Sequence, residues 1–145
     1  TLVFLGATDP ALVPAIPAAL QGAVRRNRSG ELSLGAAGAF PSLAEPRTIW
    51  LAVSAPNGWL DRLQSGIVTA MADFGVVPDD RPFQPHITGG RIRRGTPRPG
   101  RRAIGQAVRA ARPPAPIIWP VSNVVLYESV AGPDGPTYLE LDTAC

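Results

Sequence analysis

Val121-Ser122-Asn123-Val124-Val125-Leu126-Tyr127-Glu128-Ser129-Val130 and Thr137-Tyr138-Leu139-Glu140-Leu141, separated by Ala131-Gly132-Pro133-Asp134-Gly135-Pro136, decide the fold class. Both runs are rich in residues that suit a pleated strand, and the Gly, Pro and Asp between them carry the turn chemistry of a hairpin. Strands joined by so short a turn pair antiparallel. Upstream, Arg47-Thr48-Ile49-Trp50-Leu51-Ala52-Val53 is the clearest strand pattern in the chain, and Pro56-Asn57-Gly58 breaks it. Residues 31–40 form a Gly- and Ala-rich extended stretch. Thr1-Leu2-Val3-Phe4-Leu5-Gly6 reads as a buried strand stopped by glycine. Pro85-His86-Ile87-Thr88 is extended too, because a residue before proline and a β-branched pair both disfavour helix.

Helical patterns alternate with these strands. Over residues 59–74, Leu60, Leu63, Ile67, Val68, Met71 and Phe74 recur at spacings of three and four, the signature of one apolar helix face, with Gly75 as its stop. An earlier helix is expected from Asp9-Pro10 to about Arg28, its first turns disturbed by Pro14 and Pro17, followed by a Ser29-Gly30 turn. Pro78-Asp79-Asp80-Arg81 and residues 95–100 read as loops. A short basic helix over 101–111 is ended by Pro113, Pro114 and Pro116. Hairpins mixed with helices predict an α+β protein with largely antiparallel sheets, one domain across residues 1–145. The order strand, helix, strands recurs loosely in the two halves, with Thr1 and Thr88 at matching strand positions, which predicts pseudo-symmetry.

Composition narrows the chemistry. The 14 basic residues are all arginine, against 11 acids, for a net charge of +3 that favours polyanionic partners. Without lysine there is no Walker phosphate loop, no pyridoxal Schiff base and no lysine to adenylate. One His and one Cys (Cys145) cannot build a structural zinc site by themselves, and no internal disulfide forms. A single thiol and the lack of a long apolar or signal-like run lead us to expect a cytoplasmic protein. The chain opens at Thr1 inside a strand pattern and without Met, so its N-terminal start is expected to lie upstream.

His86 is the candidate for chemistry. Residues i and i+2 of a strand share a face, so His86 and Thr88 set a proton-transfer group beside a hydroxyl, and Arg91 follows with a guanidinium. Imidazole, hydroxyl and guanidinium together suit a phosphate ester. Eight arginines between Arg91 and Arg112, including Arg93 and Arg94, form either an RNA backbone track or a solvated surface. Phe83 either stacks a base or packs beneath the motif strand. Trp50 and Trp59 read as core, and Asp79-Asp80 as a surface turn rather than a metal site. Ser54, Ser65 and Ser129 lack the Gly-x-Ser-x-Gly setting of a serine hydrolase.

Pro85-His86-Ile87-Thr88, with Arg81-Pro82-Phe83 before it and Arg91 after it, resembles the second His-x-Thr motif of the two-histidine phosphoesterases, specifically the bacterial RNA 2′,3′-cyclic phosphodiesterase (2′-5′ RNA ligase) family. Thr1-Leu2-Val3-Phe4-Leu5-Gly6 resembles the tail of that family's first motif, which puts the first histidine two positions before Thr1. Gly38-Ala39-Phe40-Pro41, Pro46-Arg47-Thr48-Ile49-Trp50, and Leu126-Tyr127-Glu128-Ser129 with Gly135-Pro136-x-Tyr138 extend the likeness in order along the chain. The sequence departs at Gly89-Gly90, where the family usually has Leu-Ala.

The resemblance implies a two-lobed fold with antiparallel sheets flanking a cleft and helices outside. It implies hydrolysis of 2′,3′-cyclic phosphate ends of RNA or nucleotides to 2′-phosphates, and in reverse ATP-independent 2′-5′ RNA ligation. His86 is then the general base and the upstream histidine the acid. Thr1 and Thr88 hold phosphate oxygens, and Arg91, Phe83, Arg93 and Arg94 contact substrate. The implied partners are RNA ends or cyclic nucleotides, with no cofactor, no metal and no membrane, and the expected state is a monomer. The alternative is a non-catalytic RNA-end or nucleotide-binding domain with a degenerate site.

Overall fold

In the computed structural model, which describes residues 1–27, 30–77, 80–113, 115, 117–133 and 135–145, the elements in chain order are α1 (Ile16–Arg26), β1 (Glu31–Phe40), β2 (Thr48–Ser54), α2 (Trp59–Met71), β3 (His86–Arg91), α3 (Arg98–Ala110), β4 (Ile118–Pro120), β5 (Val124–Gly132) and β6 (Gly135–Ala144). The fold is α+β, and its described ladders are antiparallel. Contacts divide the chain into two units. Unit 1 holds Thr1, Glu31–Pro56 and Phe83–Trp119; unit 2 holds Leu2–Gly30, Asn57–Pro82 and Pro120–Cys145.

Unit 2 is built on a helix pair. Pro17 lies in the first turn of α1, where its missing N–H has no helical partner to lose, and Ile16, Leu20, Ala23 and Val24 bury one face. Leu60, Leu63, Ile67 and Met71 bury the facing stripe of α2, which packs on α1. Each such large side chain contributes roughly 1.5–3 kcal/mol by leaving water. The last turn of the expected helix is a 3-10 turn, Ala72–Phe74, and it stops at Gly75, whose φ of +76° is open to glycine at little cost. The β5–β6 hairpin completes the unit, with α1 against β6.

Unit 1 is a four-stranded sheet in the order β3-β2-β1-β4, with α3 packed on β1. The helix approaches closely because Gly105 faces the backbone of Leu43, where a Cβ would overlap the Leu43 carbonyl.

Several expectations are corrected. Thr1 to Gly6 is not a strand, and Phe4 is 79% exposed; β propensity makes a strand only where a neighbouring ladder satisfies the backbone, and neither sheet offers one here. Thr1 and Thr88 therefore do not occupy matching strand positions. The first helix begins with a 3-10 turn, Val13–Ala15, rather than at Asp9, whose carboxylate instead accepts the Ala11 N–H at 2.9 Å. α3 starts at Arg98, inside the expected 95–100 loop, because Pro99 is tolerated in a first helical turn. β4, set among prolines, was not expected. β5 begins at Val124 rather than Val121, and the hairpin strands run to Gly132 and from Gly135, so the turn is shorter than the six residues predicted. The expectations for Arg28, Ser29, Pro78, Asp79, Pro114, Pro116 and Asp134 lie outside the described residues.

Candidate active site

The site strand β3 is clamped along its length by β2. Ala52 pairs with His86, Leu51 with Ile87 and Trp50 with Thr88. Hydrogen bonds from Val53 N–H to the Pro85 carbonyl (3.0 Å) and from Ile92 N–H to the Arg47 carbonyl (2.8 Å) hold it at both ends. Between Trp50↔Thr88 and Ile49↔Gly90 the register slips, leaving Gly89 as the extra residue of a β-bulge. The slip matters for Arg91. Three residues after Thr88 in a regular strand, Arg91 belongs on the opposite face; the bulge pairs it with Thr48, on the face of Trp50. His86, Thr88 and Arg91 thus share one side of the sheet, the arrangement expected for them from sequence.

The imidazole is oriented by three contacts. Its Nδ1 lies 2.7 Å from the Gln84 carbonyl, which can only accept, so Nδ1 carries the hydrogen and Nε2 of the neutral ring keeps its lone pair. Phe40 meets the ring edge-on, with centroids 5.0 Å apart at 84°, and Trp50 lies 6.1 Å away at 57°. Phe40 and Trp50 in turn touch each other at 5.2 Å. Trp50 is half-buried beside the imidazole, in contrast to Trp59, which is core as expected. Its indole lies over Gly38, its β1 partner, where a Cβ would overlap the six-membered ring. On the same face the hydroxyls of Ser33 and Ser54 hydrogen-bond across strands at 2.8 Å.

The remaining predicted residues are less tightly gathered. Thr1 is exposed, outside any strand, and no described hydrogen bond joins it to His86. Phe83 is half-buried in the segment leading to β3 and makes no described ring contact. Arg93 and Arg94 are exposed in the turn after β3. Farther along the arginine run, Glu45 holds Arg98 Nε at 3.2 Å and Arg101 Nη2 at 3.4 Å, so those two are engaged within the protein. Among the described residues no three His, Cys, Asp or Glu side chains gather into a group able to hold a metal ion. Among the described residues no helix is long and apolar enough to cross a membrane.

Sequence reasoning did not find Phe40, Gly38 or the Gln84 carbonyl. Only Phe40 and Gly38 left a signal, as part of the Gly38-Ala39-Phe40-Pro41 match.

The α+β fold of this chain has solved counterparts. It superposes on TT0787 of Thermus thermophilus with a TM-score of 0.70 at 29% identity, covering 99% of this chain and 75% of that one. On E. coli LigT complexed with 3′-AMP the TM-score is 0.72 at 26% identity, covering 99% and 73%. The class is therefore the LigT-type phosphoesterase fold. The chain belongs to the 2′-5′ RNA ligase superfamily, whose sequence model matches residues 1–133. Relatives include proteins named RNA 2′,3′-cyclic phosphodiesterase from Aeropyrum pernix (28% identical, over 76% of this chain and 61% of that protein) and Thermus thermophilus (29%, over 98% and 68%). The chain thus spans about three-fifths of the Aeropyrum relative's length.

Proposed function

We propose that the protein hydrolyses 2′,3′-cyclic phosphate ends of RNA or nucleotides to 2′-phosphates, with His86 as general base. The observation that carries this reading is the Nδ1 contact to the Gln84 carbonyl, which leaves Nε2 able to take a proton on the face shared by Thr88 and Arg91. Water donates a proton to Nε2 as its oxygen bonds to phosphorus, and the bond from phosphorus to the 3′ oxygen breaks. The leaving oxygen takes its proton from a second acid, for which the family resemblance supplies a histidine two positions ahead of Thr1. Thr88 donates a hydrogen bond to a phosphate oxygen and Arg91 pairs with the charge that builds there. Thr1 is the matching hydroxyl of the first motif. Arg93 and Arg94 extend positive charge along an RNA strand, and Phe83 borders the base. The relatives' names and the 3′-AMP bound to E. coli LigT agree with a nucleotide ligand. In reverse, with an RNA 5′-hydroxyl in place of water, the same groups would join ends without ATP.

The test is hydrolysis of a 2′,3′-cyclic nucleotide by the full-length protein and its His86→Ala variant, with the product resolved as 2′- or 3′-phosphate. We expect 2′-phosphate and a loss of about 10²- to 10⁴-fold in the variant, the usual contribution of one general acid or base. Undiminished turnover by His86→Ala overturns the assignment. Nucleotide binding without turnover by the unaltered protein returns the function to the non-catalytic binder.

A further inference from the structure

We infer that Phe40 and Trp50, seated by Gly38, are positioning residues that fix the plane of the His86 ring and with it the proton on Nδ1. The inference rests on the proposed role of His86 and adds to it how that side chain is kept in one state.

A histidine half-exposed on an edge strand has two weakly restrained torsions, and one hydrogen bond to a carbonyl leaves the ring free to pivot about that contact. Two further contacts remove the pivot. Phe40 presents an edge-to-face contact at 5.0 Å, a geometry that aromatic pairs favour by roughly 0.5–1.5 kcal/mol beyond area burial. Trp50 closes the third side at 6.1 Å and braces Phe40 at 5.2 Å. The three rings restrain one another. They come from three adjacent strands, β1, β2 and β3, so the sheet's own register sets their spacing.

Two observations mark the cluster as more than packing. Gly38 is the only residue type that admits the indole where it lies, since any Cβ there overlaps the ring. The Trp50 Nε1 is buried without a hydrogen-bond partner, an arrangement that costs about 1–3 kcal/mol and that a stability-driven sheet face would avoid. That nitrogen is sealed from solvent, so it is not a ligand donor. What the ring placement gains is the fixed position of its neighbours.

The experiment uses full-length protein with Phe40→Leu, Phe40→Tyr and Gly38→Ala, and reads two quantities. The first is the His86 tautomer, from two-bond 15N–1H correlations of the imidazole, assigned by their loss in His86→Gln; it does not depend on any activity. We expect one tautomer protonated on Nδ1 in the unaltered protein and in Phe40→Tyr, and a mixture in Phe40→Leu and Gly38→Ala. The second is turnover of a 2′,3′-cyclic nucleotide. We expect kcat to fall about 10- to 100-fold in Phe40→Leu with KM nearly unchanged, as for a reacting group displaced by about an ångström, and to recover in Phe40→Tyr. A single Nδ1-protonated tautomer in both Phe40→Leu and Gly38→Ala overturns the inference. So does a rise in KM at constant kcat, which would assign Phe40 to base stacking instead. If the tautomer changes as expected while no variant, nor the unaltered protein, turns over the nucleotide, the brace stands and the proposed reaction falls.

Discussion

The two units of this chain divide its labour. Unit 2 contains eleven of the thirteen buried apolar side chains among the described residues; unit 1 contributes Ala39 and Pro46. Charge divides as well. By sequence, unit 1 carries nine arginines against two glutamates, whereas unit 2 carries five arginines against nine carboxylates. The difference teaches that stability is concentrated in the helix pair, while the sheet with His86 is held chiefly by backbone ladders and an aromatic cluster. A basic sheet with a thin core suits a surface that meets phosphate.

The sharpest way to break that comparison is to cut the same atoms from both units. Leu63→Ala in α2, where the side chain is 2% exposed, should cost about 2–5 kcal/mol in equilibrium urea unfolding, the range for a large-to-small change in a closed core. Leu51→Ala in β2, half-buried, should cost less than half as much. Equal losses would mean that unit 1 is as well packed as unit 2.

A smaller effect probes the site face. Deleting Gly89 removes the extra residue of the bulge and leaves Arg91 two positions after Thr88, still opposite Thr48 and on the same face, while His86 and Thr88 keep their partners, so the deletion should stay close to unaltered activity. Losing a charged hydrogen bond of about 1.5–3 kcal/mol in Arg91→Ala should by contrast lower kcat/KM for a cyclic nucleotide by roughly 10- to 100-fold. Gly89→Ala should stay close to unaltered activity, because its Cβ meets only the Ile49 carbonyl at an ordinary 3.7 Å. Unaltered activity of Arg91→Ala would remove Arg91 from the chemistry of this face.

The smallest effect is at Glu45. Its pair with Arg98 is solvent-exposed and its pair with Arg101 part-buried, so Glu45→Gln should change stability by no more than about 1 kcal/mol and by less still at high salt. The same change releases two guanidinium groups in unit 1. Oligonucleotide binding should therefore strengthen slightly at low salt, and a fall would place Glu45 in the binding surface.

What was legible in the sequence is what short-range pattern encodes. The three-and-four spacing of Leu60, Leu63, Ile67 and Met71 gives α2 directly, and the i, i+2 relation sets Thr88 beside His86. The face of Arg91 was not legible, since it depends on a register slip that only the partner strand reveals. Phe40 and Trp50 converge on His86 from positions more than thirty residues upstream, a closeness no local spacing records. Thr1 to Gly6 misled because its residues favour a strand while strand formation depends on a neighbour. The arginine run was read without Glu45, which reaches Arg101 from 56 positions away.

The place of β3 at the end of its sheet has a consequence for how the protein behaves in concentrated solution. Among the described residues β3 is an end strand, which leaves one row of backbone donors and acceptors unpaired there, a template on which another molecule's strand can add. Here the strand that would recruit a neighbour is only six residues long, interrupted by Gly89-Gly90 and closed by Arg91. Two adjacent glycines supply no side chains for cross-strand packing, the bulge twists the row out of line, and the terminal cation repels an identical copy. The irregularity that aims Arg91 also keeps the site strand from seeding aggregation.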